Sequence, residues 1–122
     1  MSRIRIALAS LVAVAAVAAP TAAFGTASKT ILNGSVGPGF TISLKDSSGH
    51  KVTKLKPGVY AIKVVDQSSS HDFHLSGPGV NKVITSVDFT GTKTAVVTLK
   101  KGKYSYVCDP HSSQMKGSFT VA

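Results

Sequence analysis

The sequence is poor in several residue types, and each scarcity argues against a class of protein. It contains no tryptophan and no glutamate, and only 16% of its 122 residues are charged, which argues against a charged helical bundle. Both arginines, Arg3 and Arg5, lie in the first five residues, so every basic residue after them is a lysine. Hydrophobic residues make up 43% of the chain, which argues against intrinsic disorder. The length fits one ordinary domain rather than a repeat array or a large multidomain enzyme.

The amino-terminal segment is organised like a secretory signal. A short basic start precedes an almost unbroken apolar run, Ile6–Ala19, and small residues follow it. As a helix this run would span roughly 21 Å, short of the ~30 Å hydrocarbon core, so removal is favoured over a retained membrane anchor. We predict a secretory signal peptide over residues 1–23, cleavage after Ala23 or Ala27, and one mature domain over residues 29–122.

Export would place the domain in the periplasm, outside the cell or at its surface, where cysteines normally pair. Cys108 is the single cysteine, so no internal disulfide can form. Three explanations are open at this point: a buried inert thiol, an intermolecular disulfide, or a thiolate that binds a metal. The mature chain would keep 12 lysines against 5 aspartates, a formal charge of +7.

From Lys29 onward, apolar and polar residues alternate in short stretches separated by Gly, Pro, Ser and Asp clusters, which is typical of short antiparallel strands. We predict an all-β sandwich of two sheets with seven or eight strands and no helix. Tyr60, Ile62 and Val64 share one face of a predicted strand. The predicted strands cover residues 40–44, 59–65, 71–75, 92–99, 103–107 and 117–121, and one more extended segment is predicted within 83–89. The predicted turns cover 46–49, 55–58, 77–79 and 100–102.

One stretch near the carboxyl end carries the residues with metal chemistry. Cys108 ends a predicted strand, His111 follows three residues later, and Met115 follows four residues after that. A thiolate, an imidazole and a thioether on one short loop suit copper. A trigonal site of one cysteine and two histidines with a weak axial methionine is a geometry used for electron transfer.

A second imidazole must come from elsewhere in the sheet, because a loop this short cannot surround an ion alone. His71 and His74 are the alternatives. Strand alternation places His71 on the face of Phe73, whose ring is expected in the core, whereas Asp72 and His74 point the other way. We therefore predict that His71 is the ligand and that His74 is an exposed or rim residue. We predict no role for His50, which lies in a turn.

These residues resemble the cupredoxins, the small blue copper proteins of the plastocyanin, pseudoazurin, amicyanin and azurin type. The resemblance covers essentially the whole mature chain and depends on three motifs, Tyr106-x-Cys108-x-Pro110-His111, Met115-x-Gly117 and the upstream His71-Asp72-Phe73-His74-Leu75-Ser76. It implies a cupredoxin-like Greek-key β-sandwich with one copper ion near one end. It also implies that the ion is bound by His71, Cys108, His111 and, axially, Met115.

Two features depart from the family pattern. The spacing Cys-x2-His-x3-Met is intermediate between those of amicyanin and plastocyanin and leaves the subfamily open. Where the family usually has asparagine after its first histidine, this chain has Asp72, and Asp109 follows the cysteine. Two carboxylates brought close repel each other unless one is protonated, hydrogen-bonded or turned to solvent, although a copper ion favours nearby anions.

The resemblance implies an exported blue copper protein that acts as a soluble one-electron carrier, cycling between Cu(I) and Cu(II). The alternative is an extracytoplasmic copper carrier or scavenger that delivers the ion without redox turnover, because both roles need the same ligands. We do not expect an enzyme, since no second metal constellation and no nucleophile with a base is present. A metal-free adhesion sandwich is a further interpretation.

We expect a monomer whose partners are redox proteins, acidic-faced ones being one alternative. We expect no nucleic-acid ligand and no stable membrane insertion after signal removal. The lysines serve solubility or form a face, at 51, 54 and 56 or at 100, 101 and 103, that steers the domain to an acidic partner or an anionic surface.

Overall fold

The computed structural model describes residues 13–14 and 29–122, which form nine strands and one short 3₁₀ helix. The predicted signal peptide over residues 1–23, with both predicted cleavage positions, falls outside the described residues except for 13–14. No helix within the described ranges is long and apolar enough to cross a membrane. The elements are β1 (Thr30–Val36), β2 (Ile42–Lys45), β3 (Lys54–Leu55), β4 (Gly58–Asp66), β5 (Phe73–Gly77), β6 (Val80–Thr85), β7 (Gly91–Leu99), β8 (Gly102–Val107), a 3₁₀ helix (Asp109–His111) and β9 (Lys116–Val121).

Two sheets pack face to face, as predicted for an all-β sandwich. The four-stranded sheet has the order β2-β1-β4-β7, and the five-stranded sheet has the order β3-β9-β8-β5-β6. The period-two pattern of β4 buries Tyr60, Ile62 and Val64, which confirms their predicted shared face. Leu75 and Phe119 come from the opposite sheet into the same core. Burial of each such side chain stabilises the fold by about 1.5–3 kcal/mol.

The strand count differs from the predicted seven or eight because β1 and the two-residue β3 are additional. The extended segment predicted within 83–89 is the second half of β6, Val80–Thr85, which begins earlier than the segment predicted. The tight hairpin after Gly77 pairs that residue directly with Val80, so β6 begins as soon as the chain has turned. Residues beyond Thr85 turn again, where the Phe89 N–H donates to the Ser86 carbonyl.

Aromatic rings of the five-stranded sheet stack inside the sandwich. The Tyr104 and Phe119 rings lie 5.4 Å apart and nearly parallel, and the Phe73 and Tyr106 rings lie 5.5 Å apart in the same way. The Tyr104 ring lies so close over Gly77 that an added Cβ there would be 2.3 Å from the ring. This packing fixes β5, the strand that follows His71, against β8, the strand that precedes Cys108.

Candidate metal centre

The loop that follows β8 is closed by its own backbone. The Cys108 N–H donates to the Met115 carbonyl at 3.0 Å, the Met115 N–H donates to the His111 carbonyl at 2.8 Å, and the His111 N–H donates to the Cys108 carbonyl at 3.0 Å. Pro110 lies within the 3₁₀ helix, where its ring fixes φ and no backbone donor is lost from the closing set. Three of the predicted ligand residues therefore stand on one closed loop.

His71 lies in the segment just before β5 rather than on a strand. The strand predicted over 71–75 begins only at Phe73, and the pairing of β5 with β6 shifts register between Phe73 and His74. Strand alternation consequently does not govern residues 71 and 72. His71 is buried, with 4% of its surface exposed, and Asp72 is buried as well.

Three side-chain donor atoms converge at this end of the sandwich. The Nδ1 atoms of His71 and His111 lie 3.1 Å apart, and the Sγ atom of Cys108 lies 3.6 Å from each of them. These separations leave room for one ion within bonding reach of all three atoms, since metal–nitrogen bonds are about 2.0 Å and metal–thiolate bonds about 2.3 Å. Within the described residues, these three form the one cluster of His, Cys, Asp or Glu side chains able to hold a metal.

Met115 is fully buried in the same core cluster as Cys108. Its backbone is hydrogen-bonded to both Cys108 and His111. Two imidazoles and a cysteine sulfur form a soft donor set that suits copper better than the oxygen-binding cations. The residues present therefore fit one type 1 copper ion.

Phe40 covers the two imidazoles and was not expected from the sequence. The predicted strand over 40–44 begins at Ile42, which leaves Phe40 in the preceding loop. Its ring lies 4.9 Å from the His111 ring and 5.6 Å from the His71 ring, although 61% of Phe40 is exposed. No period or motif in the sequence marks this contact, because it depends on how the β1–β2 loop folds over the other sheet.

The two aspartates next to the donors are joined. The Asp109 N–H donates to the Asp72 carboxylate at 2.6 Å, which ties the segment carrying His71 to the loop carrying Cys108. Burial, and after it the hydrogen bond with the Asp109 side chain, raise the pKa of Asp72 to about 6. That same hydrogen bond lowers the pKa of Asp109. The pair avoids repulsion because Asp72 holds a proton more readily than Asp109 does.

His74 belongs to a second layer of contacts. Its Nδ1 lies 3.0 Å from the Asp109 carboxylate, and its Nε2 is bonded to the Asn81 side chain, a residue that the sequence did not single out. The hydrogen bond to Asn81 raises the pKa of His74 most, and the hydrogen bond to Asp109 raises it as well. The structure thus places His74 half-buried behind the donor cluster, while His50 is exposed in its turn, 3.8 Å from Asp46.

Burial raises the pKa of the Cys108 thiol, whose side chain is completely enclosed. The thiol therefore remains protonated at neutral pH unless a cation takes the place of its proton. Metal uptake at such a site releases a proton, since only the thiolate is a strong ligand.

A sequence model of the family described as copper binding proteins, plastocyanin/azurin family, matches residues 20–122. No curated protein matches the sequence. Among solved structures, a methionine-to-leucine variant of rusticyanin is similar with a TM-score of 0.55 and 17% identity, covering 75% of this chain and 76% of that chain. Rusticyanin from Thiobacillus ferrooxidans is similar with a TM-score of 0.52 and 21% identity, over 75% of this chain and 76% of that chain. Reduced rusticyanin is similar with a TM-score of 0.53 and 19% identity, over 75% and 78% of the two chains.

The structural likenesses, at these identities, concern the fold. They confirm the predicted cupredoxin-like sandwich, while the match over residues 20–122 confirms the resemblance inferred from the motifs.

Proposed function

Because the chain belongs to the plastocyanin/azurin family of copper-binding proteins, we propose that it is a type 1 copper protein that carries single electrons. The observation that carries this proposal is the convergence of two imidazole nitrogens and one thiolate sulfur to within 3.6 Å of one another in a β-sandwich. Proteins of this family are typically electron carriers rather than enzymes.

In the proposed site, His71, Cys108 and His111 are the three strong ligands and Met115 is the weak axial ligand. A copper ion held there supplies a one-electron couple between Cu(I) and Cu(II). The protein contributes positions that do not depend on the ion: the closed loop holds three of the four residues, and the Asp72–Asp109 hydrogen bond holds the fourth against it.

The surroundings of the donors suit electron transfer. Cys108 and Met115 are fully buried and His71 nearly so, which keeps water away from the ligands and limits rearrangement between oxidation states. His111 is the ligand residue that is partly exposed, and Phe40 shields its ring from one side. We propose that His111 lies on the path by which electrons leave and arrive.

We propose further that the chain is exported, that residues 29–122 are the working domain, that it acts as a monomer, and that it is not an enzyme. The basic start and apolar run of residues 1–19 support export. Within the described residues there is a single donor cluster, and two of its three donor residues, His71 and Cys108, are buried, which supports carriage rather than catalysis.

The proposed function is tested by adding Cu(II) to the purified domain and recording its visible spectrum and voltammogram. We expect an intense visible band from thiolate-to-copper charge transfer and a reversible one-electron wave. Cys108→Ser should abolish the intense band, whereas His50→Ala should leave it unchanged, because His50 lies in an exposed turn.

A copper carrier that delivers the ion without redox turnover would give a different result. It would transfer copper readily to a chelating acceptor and show slow, irreversible voltammetry. That result would exclude electron carriage even if the visible band is present.

A further inference from the structure

The lysines that form a common face are not those that follow one another in the sequence. Lys54, Thr120 and Lys103 are successive register partners across β3, β9 and β8. Two residues further along, Ser118 pairs with Ser105. Lys103 and Ser105 are therefore neighbours on the outer face of the five-stranded sheet, because side chains two residues apart on a strand point the same way.

The next row of this face brings the surface towards the metal centre. Val107 pairs with Lys116, and both lie on the same outer face. A groove runs along this face and is lined by Lys51, Lys103, Ser105, Val107, Lys116, Gly117 and Ser118. The serines and the glycine are small, so they form a low floor between lysines that stand at both ends, roughly 13 Å apart along the strands.

The positive charge of this groove is not neutralised within the described part of the protein. Among the described residues the ion pairs are His50–Asp46 and His74–Asp109, and neither involves a lysine. Two further aspartates, Asp66 and Asp72, are buried. The groove therefore presents lysine ammonium groups to solvent with no carboxylate bound to them.

The groove also lies directly beside the proposed copper ligands. Val107 precedes Cys108 in the chain, and Lys116 follows Met115. A partner seated over the paired residues Val107 and Lys116 would be one residue away from two of the four proposed ligands. Val107 and Lys116 flank the loop that carries His111, so a partner docked there would lie near the residue proposed as the electron path.

We propose that the groove lined by Lys51, Lys103 and Lys116 is the docking surface for an acidic redox partner protein. This inference rests on the proposed electron-carrier function and names the chemistry of its partner. Opposite charges across such a surface steer encounter and fix orientation.

A protein fits the groove better than a membrane does. The groove is concave, and Val107 is the one apolar side chain in its lining, so it has no cluster of apolar side chains for insertion into a bilayer. Of the large apolar residues exposed on strands, Val83 lies on this sheet, whereas Ile31, Val59, Val65 and Val96 lie on the other. A convex carboxylate-bearing protein surface would complement both the shape and the charge of the groove.

The test uses a deca-aspartate peptide as a mimic of an acidic protein surface, with the copper-loaded chain at low ionic strength. Peptide binding should protect Lys51, Lys103 and Lys116 from acetylation, as measured by mass spectrometry. The triple variant K51Q/K103Q/K116Q should bind the peptide at least about tenfold more weakly, and the difference should shrink at high salt.

The matched control is K29Q/K63Q/K82Q, which removes the same charge from exposed lysines outside the groove. We expect its peptide affinity to fall by less than about threefold, from the change in net charge alone. Equal weakening of the two triple variants would overturn the proposal, because net charge would then explain binding.

Two other ligands provide further outcomes that would overturn it. If vesicles of phosphatidylcholine and phosphatidylglycerol bind through the three groove lysines and the peptide does not, the surface recognises membranes. If inorganic sulfate binds there and the peptide does not, the groove is a small-anion site.

The visible spectrum and reversible potential of K51Q/K103Q/K116Q should match those of the unsubstituted protein. If the unsubstituted protein fails to cycle copper while the lysine dependence is observed, the electron-carrier proposal fails. The lysine groove then stands as a docking surface for an acidic protein. If copper cycles normally and the lysine dependence is missing, only the docking proposal fails.

Discussion

Substitutions of Met115, a proposed ligand, are expected to shift the reduction potential in either direction. Met115→Gln should retain copper and lower the reduction potential, because an amide oxygen donates more strongly than a thioether and favours Cu(II). Met115→Leu should raise the potential, because leucine donates nothing. We expect each shift to be at least about 59 mV, a tenfold change in the one-electron equilibrium. Voltammetry of the pair would contradict axial ligation if both potentials stayed unchanged or moved in the same direction.

Asp72 gives the free energy of unfolding a pH dependence opposite to that of an ordinary carboxylate. Burial raises its pKa from 3.8 to about 6, so between these values the folded chain holds a proton that the unfolded chain has lost. Stability contributed by this group is therefore present below about pH 4 and is lost as the pH rises through about 6.

Asp72→Asn removes this titration and keeps an oxygen that can accept the Asp109 N–H. The metal-free variant should be more stable than the unsubstituted protein at pH 7, by about 1–3 kcal/mol, and the gain should vanish near pH 4. Denaturant unfolding at several pH values measures the difference. Asp88→Asn, in an exposed loop, serves as the control, and a gain at Asp72 that did not vary with pH would contradict the explanation.

At the scale of secondary-structure elements, β5 and β8 can approach each other closely because Gly77 has no side chain. A Cβ there would lie 2.3 Å from the Tyr104 ring, and that ring is held by stacking on Phe119. Gly77→Ala should therefore lower the free energy of unfolding by about 2–4 kcal/mol. Gly39→Ala is the matched control, since no atom lies within 4 Å of its added Cβ. Equal unfolding temperatures of the two variants would contradict this account of the packing.

At the scale of the whole molecule, the fold brings the donor atoms together without a bound ion. Copper loading should therefore leave the far-ultraviolet circular dichroism unchanged while it raises the unfolding temperature. At a free copper concentration of 100 times Kd, the folded state gains about 2.7 kcal/mol, or roughly 10–20 °C for a domain of this size. Cys108→Ser should lose most of this gain and His50→Ala should keep it. A large spectral change on loading would instead indicate that the metal orders the fold.

Several features of the fold and site followed from the sequence alone. The alternation of apolar residues around Ile62 predicts a two-sheet sandwich because a strand has a side-chain period of two. Turn residues predicted the reversals at 46–49 and 77–79, where glycines adopt the positive φ that other residues avoid. The order and spacing of Cys108, His111 and Met115 predicted the metal-binding loop because those residue types share an affinity for copper.

Other features depend on contacts between residues distant in sequence. His71 was preferred over His74 through an assumed strand alternation, yet β5 begins after His71, and the burial of Asp72 was not foreseen. The placement of Phe40 over the imidazoles and the bond from His74 to Asn81 have no local signal, since each joins separate loops or strands.

The sequence by itself determined the strand pattern, the donor types and the basic charge, because these depend on local periodicity and side-chain chemistry. Only the tertiary structure decided which donors meet and which lysines share a face. The cross-strand register places Lys103 in line with Lys54, and it places Ser105 and Ser118 between the groove lysines. Lys101, two residues before Lys103, lies in a turn instead. Register is set by hydrogen bonding between strands far apart in the chain, and no run of neighbouring residues specifies it.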